Sequence, residues 1–136
     1  MSIFKAFEIA GSGMNAQTVR LNVTASNVAN ADNVSGDEAS AYRSRQPVFS
    51  SFSDSFNPDE NPMVRVLGIV ESKGELATRY APDNPNANED GYVFSSNVNP
   101  IEEMVNMLSA SRSYKNNIEV LNTTKDLLTR TLSMGQ

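Results

Sequence analysis

From Ile101 to Met134 the chain runs without a glycine or a proline. The economical solution for so long a run is one α-helix, roughly 50 Å in length at about 1.5 Å per residue. Its start is marked. Asn99 suits the N-cap, Pro100 suits the first turn, and Glu102 and Glu103 oppose the positive end of the helix dipole. Gly135 stands where a left-handed stop would fall. Apolar residues recur at alternating steps of three and four, as in a coiled-coil seam. One set of positions is Met104, Ser111, Ile118, Lys125 and Leu132; the other is Met107, Tyr114, Leu121 and Leu128. Ser111 and Lys125 are poor choices for a simple two-stranded coil. Ile101, Val105, Leu108, Val120 and Leu127 add apolar character to other faces. Such a helix is either the core of a small bundle or an element that meets several neighbours. It also far exceeds the ~13 Å radius of gyration of a compact ~100-residue domain.

Residues 2–30 carry a second helical pattern. Phe7, Met14, Leu21 and Val28 recur every seven residues, with Ile3, Ala10, Ala25 and Ala31 at most alternate positions. Gln17 and Thr18 weaken the middle. Gly11 and Gly13 each cost about 1 kcal/mol relative to Ala inside a helix. They mark either a local break or the close approach of another helix. The cluster Asn27, Asn30, Asn33 predicts the helix end near Asn30, through the left-handed conformation that Asn tolerates.

Between these ends lies a different kind of sequence. Residues 31–100 hold eleven acidic and five basic groups, a net of −6, while residues 1–30 carry +1 and residues 101–136 are neutral. Asp32–Ala41 reads as a polar loop turning at Gly36. Val48 and Phe49 suggest a short strand, confined by Pro47 to an edge or a strand start. Asn57–Pro62 reads as a turn. Met63–Val70 is the best strand, with Gly68 as a possible bulge, and Glu75–Tyr80 is expected to be its hairpin partner across Ser72–Gly74. A turn-rich loop, Ala81–Gly91, precedes a short strand at Tyr92–Ser95. The expected fold is α+β: long N- and C-terminal helices pairing as a coiled coil, with a small β-rich insertion between them. Residues 1–31 and 97–136 form the helical part, and 32–96 the loop and β-rich part.

Composition narrows the chemistry. The 136 residues include no Cys and no His, and the net charge is −5. Disulfides, thiolate metal sites and histidine general bases are therefore absent. The negative charge argues against a nucleic-acid partner. No apolar run approaches the ~18 residues of a membrane span. The N-terminal stretch, interrupted by Lys5, Glu8, Ser12 and Gly13, makes a poor secretory signal. Carboxylate pairs at Asp59/Glu60 and Glu89/Asp90 sit in loops without an apolar pocket to shift a pKa, and Glu102/Glu103 fit a helix start. Asn86–Gly91 matches the first half of a calcium loop but has Asn97 where a bidentate Glu belongs. Three Asn-x-Ser/Thr patterns, at Asn22, Asn33 and Asn122, are chance matches in an Asn-rich chain. Neither an enzyme nor a metal or cofactor site is expected.

Three stretches together carry a family resemblance. The first is Leu21-Asn22-Val23-Thr24-Ala25-Ser26-Asn27-Val28-Ala29-Asn30-Ala31, followed by Tyr42-Arg43. The second runs from Tyr80-Ala81-Pro82 to Asp90-Gly91-Tyr92-Val93. The third is Asn97 to Asn106 (NVNPIEEMVN), continuing through Ser109–Tyr114 (SASRSY) and Asn117–Asn122 (NIEVLN). The chain resembles the bacterial flagellar basal-body rod proteins over nearly its whole length. Ser26, Asn27, Ala29, Asn30, Tyr42 and Arg43 match the family motif. One departure is Gly36–Ala41, which spaces that motif from Tyr42-Arg43, where a tighter Gly-Tyr-Arg turn is commoner in the axial family.

The resemblance implies a non-enzymatic building block of a hollow rod that transmits motor torque. It implies passage through the flagellar type III export apparatus without a cleaved signal, and a final place in the rod within the periplasmic space. The implied partners are copies of the chain, other rod proteins (FlgB, FlgF, FlgG) and the basal-body adaptor FliE. Ile3, Phe7, Met14, Leu21 and Val28 would pack against Met104, Met107, Tyr114, Ile118, Leu121, Leu128 and Leu132, within and between subunits. The alternative is a soluble coiled-coil adaptor or regulator that closes on itself.

Overall fold

A computed structural model describes residues 3–52 and 63–135. Two helices, α1 (Ile3–Ala29) and α2 (Pro100–Met134), bracket five strands: β1 (Val34–Ser35), β2 (Arg45–Phe52), β3 (Met63–Glu71), β4 (Ala77–Tyr80) and β5 (Tyr92–Ser95). The fold is α+β. The turn expected at Asn57–Pro62 lies outside the described residues.

The helices lie side by side and antiparallel. Gly13 stands opposite Asn117, and the Arg20 guanidinium donates to Asn106 Oδ1 at 3.3 Å. A Cβ built on Gly13 would meet Asn117 Nδ2 at 2.9 Å, so close approach explains this glycine. The helix runs unbroken through both glycines, and nothing lies within 4 Å of a Cβ at Gly11. From the Gly13–Asn117 pairing, and an equal rise in both helices, Ile3 falls near Leu127. The end of α2 therefore runs past the described start of α1.

The α2 start follows its sequence signals. Asn99 Oδ1 accepts from the backbone N–H of Ile101 at 3.1 Å, with Pro100 in the first turn. Its end does not. Gly135 has φ −91°, so it is not a left-handed stop; its N–H donates to the Leu132 carbonyl instead. Nor does α1 end through a left-handed Asn, since no non-glycine described residue has positive φ. Asn30 stays with the helix, and its side-chain Nδ2 donates to the Ser26 carbonyl at 2.8 Å.

The strand pairing corrects the sequence expectation. Met63–Glu71 pairs antiparallel with Arg45–Phe52, not with the segment ending at Tyr80. Ser72 N–H donates to the Ser44 carbonyl at 2.7 Å, continuing the β2–β3 direction. The Gly74 carbonyl is taken by Arg43 at 2.8 Å and by Asn97 Nδ2 at 3.2 Å, so Ser72–Gly74 does not close a hairpin. Pro47 is tolerated because both strands of this two-stranded sheet are edges. The bulge falls beside Gly68: Val48 faces Gly68 while Phe49 faces Val66, leaving Leu67 as the extra residue.

β4 pairs instead with β5, which also pairs with β1, in a three-stranded sheet of order β1-β5-β4. β1 lies in what reads as a polar loop; two residues are too short to show an alternation. Val93 on β5 is fully buried, and Tyr80 meets Tyr92 edge to face at 5.2 Å. The β2–β3 hairpin packs along α1, with Val64 N–H donating to Ser12 Oγ at 3.2 Å.

Candidate assembly interface

A joint of side-chain amides fixes where the helices meet the β-rich part. Asn27, near the end of α1, is fully buried. Its Oδ1 accepts from Arg45 N–H at 3.0 Å and from the Tyr42 hydroxyl at 2.9 Å, and its Nδ2 donates to the Arg45 carbonyl at 2.8 Å. The amide thus satisfies both backbone groups of Arg45, as a neighbouring strand would. Asn97 Oδ1 accepts from Ser44 N–H at 2.7 Å, one residue away. Ser26 Oγ lies 3.2 Å from the Tyr42 hydroxyl, and Arg43 pairs with Glu38 at 3.1 Å. Ser26, Asn27, Asn30, Tyr42 and Arg43 are thereby gathered at one place, while Ala29 points outward.

Along the helix pair, size is distributed the opposite way to an ordinary core. The fully covered positions on α1 are Ala10, Ala16, Val23, Thr24 and Asn27; on α2 they are Glu103, Ala110 and Thr124. Many of the large apolar side chains are outside. Ile101, Met104, Val105 and Leu108 are more than half exposed, at spacings that form one stripe on α2. Leu127, Leu132 and Met134 are exposed towards its end, and Phe4 and Phe7 on α1. Globular chains leave scattered apolar residues in solvent, but a continuous stripe marks an interaction surface.

The α2 seam facing α1 is turned by one residue from the heptad read in the sequence. Met107, Tyr114, Leu121 and Leu128 are half-buried, but their companions are Glu103, Ala110, Asn117 and Thr124. Met104, Lys125 and Leu132 lie exposed, and Ile118 is half-buried at the margin. On α1, Ile3, Met14, Leu21 and Val28 are half-buried and Phe7 is 39 % exposed. Met104 and Leu132 drew one row of the pattern outward, because small and polar residues fill that row of the inner face.

No chemistry-bearing constellation competes with this surface. Among the described residues no cluster of three metal-ligating side chains exists, and no helix is long and apolar enough to cross a membrane. Asn88 in the calcium-like loop spends its Oδ1 on the N–H groups of Asp90 and Tyr92, which builds a turn.

Comparison with known proteins shows the family. The chain is 46 % identical to the flagellar basal-body rod protein FlgC of Salmonella typhimurium over the full length of both chains. It is 47 % identical to that of Yersinia enterocolitica, again over both whole chains. The chain belongs to the flagellar basal-body rod proteins. The family model described as flagella basal body rod protein matches residues 7–36, and the one described as flagellar basal body rod FlgEFG protein C-terminal matches residues 89–134. The FlgC of Aquifex aeolicus is 40 % identical over 96 % of each chain. This FlgC-like rod protein is a structural subunit of the basal body and not an enzyme. The two family matches fall on α1 and β1, including Asn27 of the joint, and on β5 and α2, including Asn97.

Proposed function

We propose that the chain polymerises through the outer faces of its two helices into the wall of a hollow, torque-bearing shaft. Residues 1–31 and 97–136 pack as coiled-coil helices on the inside of the tube, and residues 32–96 lie outward. The contacts are head-to-tail, because a tube needs heterologous surfaces. Ile3, Phe7, Met14, Leu21, Val28, Met104, Met107, Tyr114, Ile118, Leu121, Leu128 and Leu132 share the packing, within and between subunits. The neighbours are other copies and FlgB, FlgF, FlgG and FliE. The chain reaches the periplasmic rod through the type III export apparatus without a cleaved signal.

One observation carries this reading: the fully buried positions between the helices are mostly small or polar, while a stripe of large apolar side chains on α2 stays exposed. The test separates the two faces. Leu108→Asp, at a position 54 % exposed, is expected to leave the melting temperature of the dilute chain unchanged while abolishing rod assembly and motility. Leu121→Asp, on the inner face, is expected to lower the melting temperature as well. Normal motility with Leu108→Asp would sink the proposal. A self-closing adaptor is the outcome if both variants and the parent form the same small, concentration-independent particle.

A further inference from the structure

We propose that Glu103 is a receptor for a basic side chain of a second copy of this chain, so that one charge site is completed only in the assembly. The inference rests on the rod-subunit reading. Glu103 is 5 % exposed, and its Oε2 has no hydrogen-bond partner. It lines a cleft of about 380 Å³ between α1, the first turns of α2 and β2, together with Arg20, Thr24, Arg45, Phe49 and Glu102. A buried carboxylate is costly unless it is paired and hydrogen-bonded.

The cleft's own cations are engaged elsewhere. Arg20 donates to Asn106, and Arg45 is bridged to Glu71 at 2.9 Å. Neither forms an ion pair with Glu103 among the described residues. The start of the helix offers the carboxylate a favourable dipole but no donor of its own, because the first-turn amides are taken by Asn99.

What would fill the cleft is present on the chain itself. Arg112, Lys115, Lys125 and Arg130 on α2 are all exposed, and none is ion-paired among the described residues. On α2 alone, each copy thus brings one buried carboxylate with an unpartnered oxygen and four exposed cations without an ion pair among the described residues. The exposed stripe Ile101, Met104, Val105 and Leu108 shares the first turns of α2 with the cleft. The two lie on opposite sides of those turns, about 150° apart at 3.6 residues per turn, so a second copy reaches Glu103 through the cleft itself, and filling the cleft removes the water that screens an ion pair.

Glu103→Gln keeps the side chain's size and removes its charge. If the carboxylate waits for a partner, this variant melts higher than the parent as a dilute chain. It then enters rods at least about thirtyfold less efficiently in cells lacking the native copy, as loss of one member of a buried charge pair requires. A lower melting temperature would mean that Glu103 is already paired within the chain, and overturns the proposal. A higher one with unchanged rod entry overturns it too. Identity of the partner is read with p-benzoylphenylalanine at Glu102, on the rim, and at Leu108 as a control. An adduct from Glu102 to an α2 peptide of a second copy is expected. An adduct only to a different rod protein, or none while Leu108 gives one, rejects the second copy. Failure of the unmodified chain to enter rods would instead remove the rod reading itself.

Discussion

Asn27 makes three hydrogen bonds with one amide. It closes both backbone groups of Arg45 and anchors Tyr42. Asn27→Ala leaves the Arg45 N–H and carbonyl without this partner at a part-buried site, and should cost about 1–3 kcal/mol in urea denaturation of the dilute chain. Asn27→Asp keeps the acceptor but sets a carboxylate against the Arg45 carbonyl, so it should rescue little of that loss. The two glycines separate cleanly. Gly11→Ala meets nothing and should stabilise the dilute chain by about 1 kcal/mol, read from the same denaturation curves. Gly13→Leu should destabilise it, because the helices touch there. The sequence marked these residues without revealing what they do. Asn27 was legible as part of a motif, but its bonds to residues 15 and 18 positions away depend on the path of a loop that local pattern does not specify.

Among the elements, α2 was the most legible, because capping and a long absence of helix breakers are local signals. Its inner face was legible only in part. A seam search follows large apolar residues, so the row of Met107, Tyr114, Leu121 and Leu128 was found, while its small and polar companions were missed and that second row came out one residue displaced. The strand partners also escaped. Met63–Val70 was recognisable as a strand, yet its partner lies earlier in the chain, and the short separation to Glu75–Tyr80 favoured the wrong pairing. The overhang of α2 makes its own prediction. Amides of residues 129–134 lie past the described start of α1, so they should exchange with deuterium quickly in the dilute chain and slowly in assembled rods. Equal protection in both states would mean that no neighbour covers that end.

The whole molecule exposes 9443 Å². A compact protein of 14.8 kDa exposes about 7,000 Å². The difference is the size of a substantial protein–protein interface, and it is the whole-molecule counterpart of the outward-facing apolar stripe. A fluorescent apolar dye such as ANS should therefore bind the dilute chain and be released on assembly; a chain that stays dark in both states would contradict that account. The amide joint has a further consequence for how such a shape tolerates change. Asn27 and Asn97 grip residues 44 and 45 directly, beyond the loop that separates them from α1. The angle between the helices and the β2–β3 hairpin is thus set by the grip rather than by the length of the loop at 36–41. Residues gained or lost in that loop during evolution leave the grip in place, and with it how the outer part is presented. A coupling of this kind lets one shaft geometry carry loops of different lengths.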